Sequence, residues 1–188
     1  MQRIFIIGYM GAGKTTIGKI LAQRLSLTFV DLDAHIQSRY HKTIPELFAE
    51  HSEEGFRKLE QQALHEVATF ENVIVSTGGG TPCFFDNMDV MNRVGITVYI
   101  ESLPEVLADR LLQSKSVRPL IAGKEKAELI SFIAAHLAER EPFYRKATII
   151  YHANDELTKE EVVLTADGIE KQLVHYFPRY FSSNLDFV

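Results

Sequence analysis

The stretch Gly8-Tyr9-Met10-Gly11-Ala12-Gly13-Lys14-Thr15-Thr16 stands near the beginning of this 188-residue chain. It has the pattern G-x-x-x-x-G-K-T, follows an apolar run at residues 4–7 and leads into an amphipathic segment. Glycines allow successive backbone N–H groups to turn toward one point, and a helix beginning there directs its positive end to the same point. Lys14 adds a charge for phosphate oxygens, and the Thr15 hydroxyl can ligate Mg²⁺. The stretch predicts a nucleotide phosphate-binding loop; the alternative is a glycine-rich turn whose lysine faces solvent.

The composition is that of a soluble globular protein with one domain. Its hydrophobic share is 46% and its charged share 24%, which are ordinary values for such proteins. A net charge of −5 argues against general binding to nucleic acid, because that requires a basic surface. Cys83 is the only cysteine, so no internal disulfide can form and a reducing compartment is expected. Since no apolar stretch is long enough to span a membrane, we expect a cytoplasmic protein without membrane partners.

Five short apolar runs predict buried parallel strands, because they are β-branched and aromatic and most lack polar alternation. They are residues 3–7, 28–32, 72–76, 96–100 and 148–151. Helical patterns separate the runs, including one apolar stripe over residues 53–70. Capping boxes at residues 43–46, 102–105 and 158–161 predict three helix starts. The alternation predicts an α/β fold in which a five-stranded parallel sheet is flanked by helices and ligands bind beyond the carboxyl ends of the strands.

Two aspartates follow the second predicted strand, in the run Asp31-Leu32-Asp33. If the strand continues through them, alternation turns both carboxylates to the same side. One carboxylate could then serve Mg²⁺, and the other could orient or deprotonate a hydroxyl group. The alternative is a helix N-cap, because aspartate is common immediately before a helix.

The third predicted strand ends in Ser76-Thr77-Gly78-Gly79-Gly80, where phosphate-loop NTPases usually carry an acidic residue for the metal. Since this chain has serine there, Asp31 becomes the candidate for the metal-side carboxylate. Three consecutive glycines predict close approach of the backbone to a ligand, with N–H groups as donors. A tight turn that needs positive φ angles is the alternative.

Three arginines complete the candidate site. Arg57 lies in the predicted helix with Glu60 one turn further on. Arg118 lies in the cationic segment 114–124, whose proline and glycine predict a mobile loop that could close over a triphosphate. Arg140 is predicted to end a long helix before the next proline. Each arginine taken alone could also be a solvated surface residue.

Together these motifs resemble those of the shikimate kinase family. The likeness runs from about residue 3 to residue 174, nearly the whole chain, and the order and spacing of its blocks are specific. In chain order the blocks are G-Y-M-G-A-G-K-T-T-I-G (8–18), F-V-D-L-D (29–33), I-P-E-L-F (44–48), E-E-G-F-R-K-L-E (53–60), S-T-G-G-G (76–80), R-P-L (118–120) and R-x-x-x-Y-R (140–145).

The resemblance implies a three-layer P-loop kinase fold with a mobile lid at about 112–124 and a substrate-binding helical insert at about 33–60. A single domain would cover residues 1–175, and the aromatic tail at 176–188 lies beyond the likeness. The implied reaction transfers the γ-phosphate of ATP to the 3-hydroxyl of shikimate, giving shikimate 3-phosphate and ADP on the route to chorismate and the aromatic amino acids. ATP and shikimate are the implied ligands, Mg²⁺ is the implied cofactor, and a monomer is expected.

On the ATP side, the resemblance assigns binding of the phosphates to six consecutive residues. These are Gly11, Ala12, Gly13, Lys14, Thr15 and Thr16. Thr15 and Asp31 would bind Mg²⁺. Arg118 would come down onto the phosphates with the lid, and it would join Lys14 and Asp33 as a catalytic residue. The adenine contacts are the weakest match, with Arg110 and residues 151–157 as candidates.

On the shikimate side, Asp33 would contact the acceptor hydroxyl, either as a base or as an orienting group. Arg57 and Arg140 would hold the carboxylate, since forked guanidinium groups are natural partners of carboxylates. The ring hydroxyls would meet the backbone of Gly78, Gly79 and Gly80. Apolar walls for the ring would come from Phe48, Phe56, Pro119 and Leu120.

Two other functions are compatible with part of these observations. A phosphate-loop kinase for another small hydroxy acid, such as gluconate, would explain the loop and the aspartates. It would not explain the triple glycine together with Arg57 and Arg140. A nucleotide-binding regulatory module without chemistry should have lost at least one of Lys14, Asp33 and Arg118, and all three are present. The tail could pack on the domain, pair with a neighbouring chain or be loose.

Overall fold

Five parallel strands form one sheet at the centre of the chain, and their order is β2-β3-β1-β4-β5. A computed structural model describes residues 2–114, 125–153 and 158–181. The strands are β1 (Arg3–Ile7), β2 (Thr28–Asp31), β3 (Val73–Ser76), β4 (Ile96–Glu101) and β5 (Ile149–His152). Every boundary lies within one residue of its predicted position. The predicted five-stranded parallel sheet is therefore confirmed.

Eight helices surround the sheet in the part of the chain that is described. They are α1 (Lys14–Arg24), α2 (Leu32–Tyr40), α3 (Ile44–Val67), α4 (Asn87–Val94), α5 (Pro104–Gln113), α6 (Lys126–Tyr144), α7 (Lys159–Tyr176) and α8 (Pro178–Phe181). A single 3₁₀ turn, Thr81–Cys83, follows the triple glycine. None of the described helices is both long and apolar enough to cross a membrane.

The central strand β1 supplies both hydrophobic cores because its side chains alternate between the two faces of the sheet. Ile4 and Ile6 belong to one core, with buried residues of α1, α5, α6 and α7. Phe5 and Ile7 belong to the other, with buried residues of α2, α3 and α4. The sheet and the helices on its two faces therefore form three layers. Within the sheet, the carboxyl ends of β1, β2 and β3 lie side by side.

The helix α3 begins with a complete capping box. The Thr43 hydroxyl oxygen accepts from the Glu46 N–H, and the Glu46 carboxylate accepts from the Thr43 N–H at 2.7 Å. The helix contains a break at Ser52, whose φ of 60° and ψ of 176° are not helical. The apolar stripe predicted over residues 53–70 is the second half of this helix, which ends at Val67.

Two details of the predicted helices are wrong. Ser102 does not cap α5: the N-cap residue is Leu103, without a side-chain cap, because Pro104 already occupies the first helical position. Arg140 does not end α6, which continues through Pro142 to Tyr144. A proline so close to the end of a helix removes one N–H donor only, and the last turn closes around it.

The capping box predicted for α7 is half present. The Thr158 hydroxyl oxygen accepts from the Glu161 N–H at 3.2 Å. Within the described chain, Glu161 Oε2 is buried and has no hydrogen-bond partner, so the return bond is missing. Beyond α7, Phe181 is 2% exposed and packs into the core with α1 and α7, so the tail contacts the domain as far as that residue. Residues 182–188 lie outside the described chain.

Candidate active site

The phosphate-binding stretch forms the turn between β1 and α1. Gly13 has a φ of 88° at the N-cap of α1, a left-handed conformation that favours glycine. The Lys14 side chain is buried, and its Nζ donates to the carbonyl oxygens of Gly8 and Tyr9 at 2.8 Å each. The ammonium group therefore rests on the loop whose N–H groups and helix end can hold an anion.

Asp31 combines the two roles that the sequence left as alternatives. Its Oδ1 accepts from the Ala34 N–H at 3.1 Å, so it caps α2. Its Oδ2 accepts from the Thr15 hydroxyl at 2.9 Å, and Ser76 Oγ lies 3.4 Å from the same hydroxyl. One carboxylate and two hydroxyls thus stand together at the phosphate loop. Oxygen donors of this kind fit Mg²⁺, which is usually bound by one or two carboxylates together with substrate phosphates.

Asp33 lies on α2 and not on a strand. The strand β2 ends at Asp31, so the alternation from which we predicted a shared side for the two carboxylates does not exist. The first turn of α2 nevertheless brings Asp33 into the same cleft, which has a volume of about 290 Å³. The cleft is lined by the phosphate loop, both aspartates, Ser76, Gly78 and Gly79.

The triple glycine is surrounded by the predicted substrate-binding side chains. Positive φ angles occur at none of the three positions, so the tight-turn alternative does not explain them. A β-carbon on Gly78 would lie 3.1 Å from Asp33 Oδ1, and one on Gly79 would lie 3.3 Å from Arg140 Nη1. On Gly80 it would lie 2.7 Å from Arg57 Nη2. A side chain at any of the three positions would press on one of these functional side chains.

Arg57 is a buried cation held by acidic and aromatic groups. Its Nη1 donates to Glu60 Oε2 at 2.9 Å, as the sequence predicts, and its Nη2 donates to Glu53 Oε1 at 3.3 Å. The guanidinium carbon lies 4.1 Å from the centre of the Phe84 ring. Within the described chain Arg57 Nε is buried and has no hydrogen-bond partner. The residue therefore has one donor that the described chain does not pair.

Glu60 does more than pair with the arginine. It is 1% exposed, and its Oε1 accepts from the Thr81 hydroxyl at 2.6 Å. The carboxylate therefore joins Arg57 on α3 to the 3₁₀ turn after the triple glycine. The predicted apolar walls are partly seen: Phe48 and Phe56 stack at 4.0 Å beside the arginine, and Pro119 and Leu120 lie outside the described residues.

Arg140 lies on α6, and its guanidinium group lies beside Gly79, which lines the cleft. Its guanidinium carbon lies 5.5 Å from the centre of the Tyr9 ring. One turn later, the Tyr144 hydroxyl donates to the Gly79 carbonyl oxygen at 2.6 Å. Sequence reasoning missed Tyr9 and Tyr144 as parts of the site. The spacing R-x-x-x-Y does place Tyr144 on the same face of the helix as Arg140, which is a signal that could have found it.

The thiol of Cys83 lies near the charged side chains of this site. Burial raises the pKa of Cys83 to about 11, and the nearby guanidinium groups of Arg140 and Arg57 oppose that rise. Both arginines therefore face the turn that follows the triple glycine. A neutral thiol of this kind is not a nucleophile at physiological pH.

Arg110 lies on α5 at the other end of the phosphate loop, and its Nη1 donates to the Gly11 carbonyl oxygen at 3.5 Å. Burial lowers the pKa of this arginine. It also lines a second cavity of about 270 Å³ with Thr16, Ala153 and Val162. This cavity adjoins the phosphate loop, as the adenine end of a nucleotide would. Arg118 and most of the predicted lid lie outside the described residues.

Most of the chain is similar to known shikimate kinases. A sequence model of the shikimate kinase family matches residues 10–167. A shikimate kinase from Phocaeicola vulgatus is 53% identical over 173 residues, which are 92% of this chain and 99% of that protein. The crystal structure of shikimate kinase from Bacteroides thetaiotaomicron has 51% identity and a TM-score of 0.87, and it covers 92% of this chain and 98% of its own.

Two further solved structures are similar to this chain. Shikimate kinase from Acinetobacter baumannii in complex with shikimate is 29% identical with a TM-score of 0.81, covering 94% of this chain and 95% of its own. A gluconokinase from Sinorhizobium meliloti is 14% identical with a TM-score of 0.56, covering 94% and 97%. At that identity the second likeness shows a common fold alone.

Proposed function

This chain belongs to the shikimate kinase family, and from that premise we propose that its cleft transfers the γ-phosphate of ATP to the 3-hydroxyl of shikimate. One observation carries the residue assignment: Asp33, Arg57 and Arg140 each lie against one of the three glycines. Gly78 and Gly79 line the cleft together with the phosphate loop. The donor and acceptor halves of a two-substrate site therefore meet at the end of β3.

Two guanidinium groups from different helices hold the carboxylate of shikimate. Arg57 comes from α3 and Arg140 from α6, and the Gly79–Gly80 backbone separates them. Forked guanidinium groups match carboxylate geometry and make charge-assisted hydrogen bonds. The buried Nε of Arg57, which has no hydrogen-bond partner within the described chain, supports this role, since such a donor is costly unless another group pairs with it. Phe48, Phe56 and Phe84 give the ring an apolar wall.

Asp33 orients the acceptor hydroxyl and receives its proton as the phosphoryl group is transferred. Its position supports this role, because it lies in the first turn of α2 with its Oδ1 against Gly78 and lines the cleft with Lys14. Phosphoryl transfer needs alignment and charge stabilisation more than covalent help, so a well-placed carboxylate is sufficient. We expect the backbone of Gly78, Gly79 and Gly80 to contact the ring hydroxyls.

On the donor side, the backbone from Gly11 to Thr16 holds the phosphates of ATP. Lys14 exchanges its bonds to the Gly8 and Tyr9 carbonyl oxygens for bonds to phosphate oxygens. Thr15 and Asp31 would hold Mg²⁺, which would neutralise negative charge on the phosphates. A lid at about 112–124 that carries Arg118 stays a prediction from the sequence, and residues 115–124 lie outside the described chain.

The products are shikimate 3-phosphate and ADP, which places the reaction on the route to chorismate and the aromatic amino acids. We assign one domain to residues 1–175, with the helical insert at about 33–60, and we expect a monomer. Nucleic acid has no part in the proposal, and the cytoplasmic location stays a prediction from the sequence.

The direct test is an ADP-release assay with shikimate and gluconate measured side by side under the same conditions. We expect turnover with shikimate and none above background with gluconate. Turnover with gluconate alone would replace the proposed acceptor. ATP binding without turnover of either acid would instead favour the regulatory module.

A variant at Asp33 tests the role of the carboxylate. Asp33→Asn should lower kcat by on the order of 10²-fold or more, because the amide cannot take the proton, while the Kd for ATP stays nearly unchanged. Steady-state kinetics and calorimetric ATP titration measure the two quantities. Asp89→Asn, at an exposed position on α4, is the matched control and should behave as the wild type. Near-normal turnover of Asp33→Asn would remove this residue from the mechanism.

A further inference from the structure

Tyr9 is the second residue of the phosphate loop and is 1% exposed. Its ring packs into the core that contains Ile4 of β1 and Leu129 and Ile133 of α6. Its carbonyl oxygen accepts from Lys14 Nζ. The backbone of this residue therefore belongs to the ATP half of the cleft, while its side chain points to the helix that carries Arg140.

The Tyr9 ring lies under the guanidinium group of Arg140, with 5.5 Å between the ring centre and Arg140 Cζ. A cation above an aromatic face is attracted by the ring, and the attraction grows when water is excluded, as it is around this buried tyrosine. Gly79 packs on the same group, since a β-carbon there would lie 3.3 Å from Arg140 Nη1. The arginine is therefore placed by contacts outside its own helix.

His136 fixes the tyrosine ring. Its Nδ1 lies 2.9 Å from the Tyr9 hydroxyl, and the two rings meet edge to face at 88° with 5.6 Å between their centres. His136 is one helical turn before Arg140 on α6, so the two side chains share one face of the helix. The hydrogen bond prevents the ring from turning away from the guanidinium group, and Phe132 packs against the other side of the histidine.

We propose that Tyr9 and His136 form a positioning pair that holds Arg140 at the acceptor end of the cleft. The inference rests on the proposed function, in which Arg140 binds the shikimate carboxylate. Neither residue of the pair touches the acceptor in this account. Both act through the arginine, and Tyr9 connects it to the loop that binds ATP.

The kinetic test replaces the ring and the hydroxyl separately. Tyr9→Leu removes the ring and should raise the KM for shikimate about three- to thirtyfold, with the KM for ATP changed less than about twofold. Tyr9→Phe keeps the ring and loses only the hydrogen bond to His136, so it should raise the KM for shikimate less than Tyr9→Leu does and by no more than His136→Ala does. Leu129→Ala removes a buried side chain from the same core and is the matched control for lost stability; it should leave both KM values near the wild type.

Equal rises of both KM values in Tyr9→Leu, or an equal rise for shikimate in Leu129→Ala, would overturn the proposal. If Tyr9→Leu does not fold, His136→Ala takes its place, because it removes the partner of the hydroxyl from the surface of α6. It should raise the KM for shikimate selectively. An unchanged KM in that variant would contradict the pair.

A second measurement needs no substrate and so separates this inference from the proposed function. Burial and the charge of Arg140 lower the pKa of His136, against the opposing charges of Glu139 on α6 and Glu53 on α3. An NMR titration of His136 should show a pKa below 6.5 in the wild type and a higher pKa in Arg140→Ala. An ordinary pKa in the wild type that Arg140→Ala does not change would overturn the geometry. Absence of shikimate turnover with this titration intact would overturn only the proposed function.

Discussion

Arg57 shows how a buried charge is kept ready for a ligand. Transfer of a guanidinium group from water into a protein is unfavourable unless it is paired, and Glu60 and Glu53 supply the pairing here. Phe84 covers one face of the group, so it cannot turn toward solvent without losing contacts. These contacts orient the arginine before any acceptor binds. Its Nε has no hydrogen-bond partner within the described chain.

The chemistry of Cys83 gives a prediction at the scale of one residue. Because burial raises its pKa from 9.0 to about 11, the thiolate fraction at pH 8 is about 100-fold lower than for an unperturbed cysteine. Alkylation by iodoacetamide, followed by mass spectrometry, should be slower by about the same factor in the native protein than in urea. The native rate should also rise about tenfold for each pH unit until the pKa is approached.

The unfolded protein is the control for that measurement, since it has the same sequence with an exposed thiol. Equal alkylation rates in the native and unfolded states would mean that the turn after the triple glycine is open to solvent. The placement of Arg57 and Arg140 around it would then be wrong.

Among the secondary-structure elements, α3 joins the outer part of the helical insert to the acceptor site. Its break at Ser52 separates the capped first turns from the half that carries Glu53 and Arg57. The φ of 60° and ψ of 176° lie in a region that residues other than glycine rarely occupy, and such positions cost about 1–3 kcal/mol. The break allows the second half of α3 to place Arg57 independently of the first.

Substitution at this break tests the strain. Ser52→Gly should increase the free energy of unfolding by about 1 kcal/mol relative to Ser52→Ala, because only glycine adopts these angles without strain. Both variants lose the same hydroxyl, so their comparison isolates the β-carbon. Urea unfolding measures the difference. If the glycine variant is no more stable than the alanine variant, the break carries no strain.

The elements were predictable where one local signal decides them. The apolar runs give the strands to within one residue, and Thr43 with Glu46 gives the start of α3. The errors occur where signals compete. At the start of α5, Pro104 takes the first helical position and leaves Ser102 one residue too early to cap. At the end of α6, Arg140 precedes a proline that the last turn tolerates.

At the scale of the whole molecule, the strand order places the two halves of the cleft beside one another. The phosphate loop leaves the central strand β1, and β3 next to it presents the triple glycine. The sequence could identify both motifs, because each is contiguous. It could not identify the roles of Tyr9 and His136, which depend on α6 packing across the loop. Tyr144 could have been identified, because the spacing R-x-x-x-Y places it on the same helix face as Arg140. Strand alternation predicted that Asp33 faces the cleft. The residue does line the cleft, but it lies on α2, which begins earlier than the strand pattern indicates.

In the proposed site, arginines from two separate helices bind one acceptor. The KM values of Arg57→Ala and Arg140→Ala are the most direct test of this arrangement. Each loses a charge-assisted contact, so the KM for shikimate should rise about ten- to hundredfold while the KM for ATP stays within about twofold. Arg93→Ala, at an exposed position in the last turn of α4, is the matched control and should leave both values unchanged. Equal rises in the two KM values for either cleft variant, or a rise for ATP alone, would contradict the account.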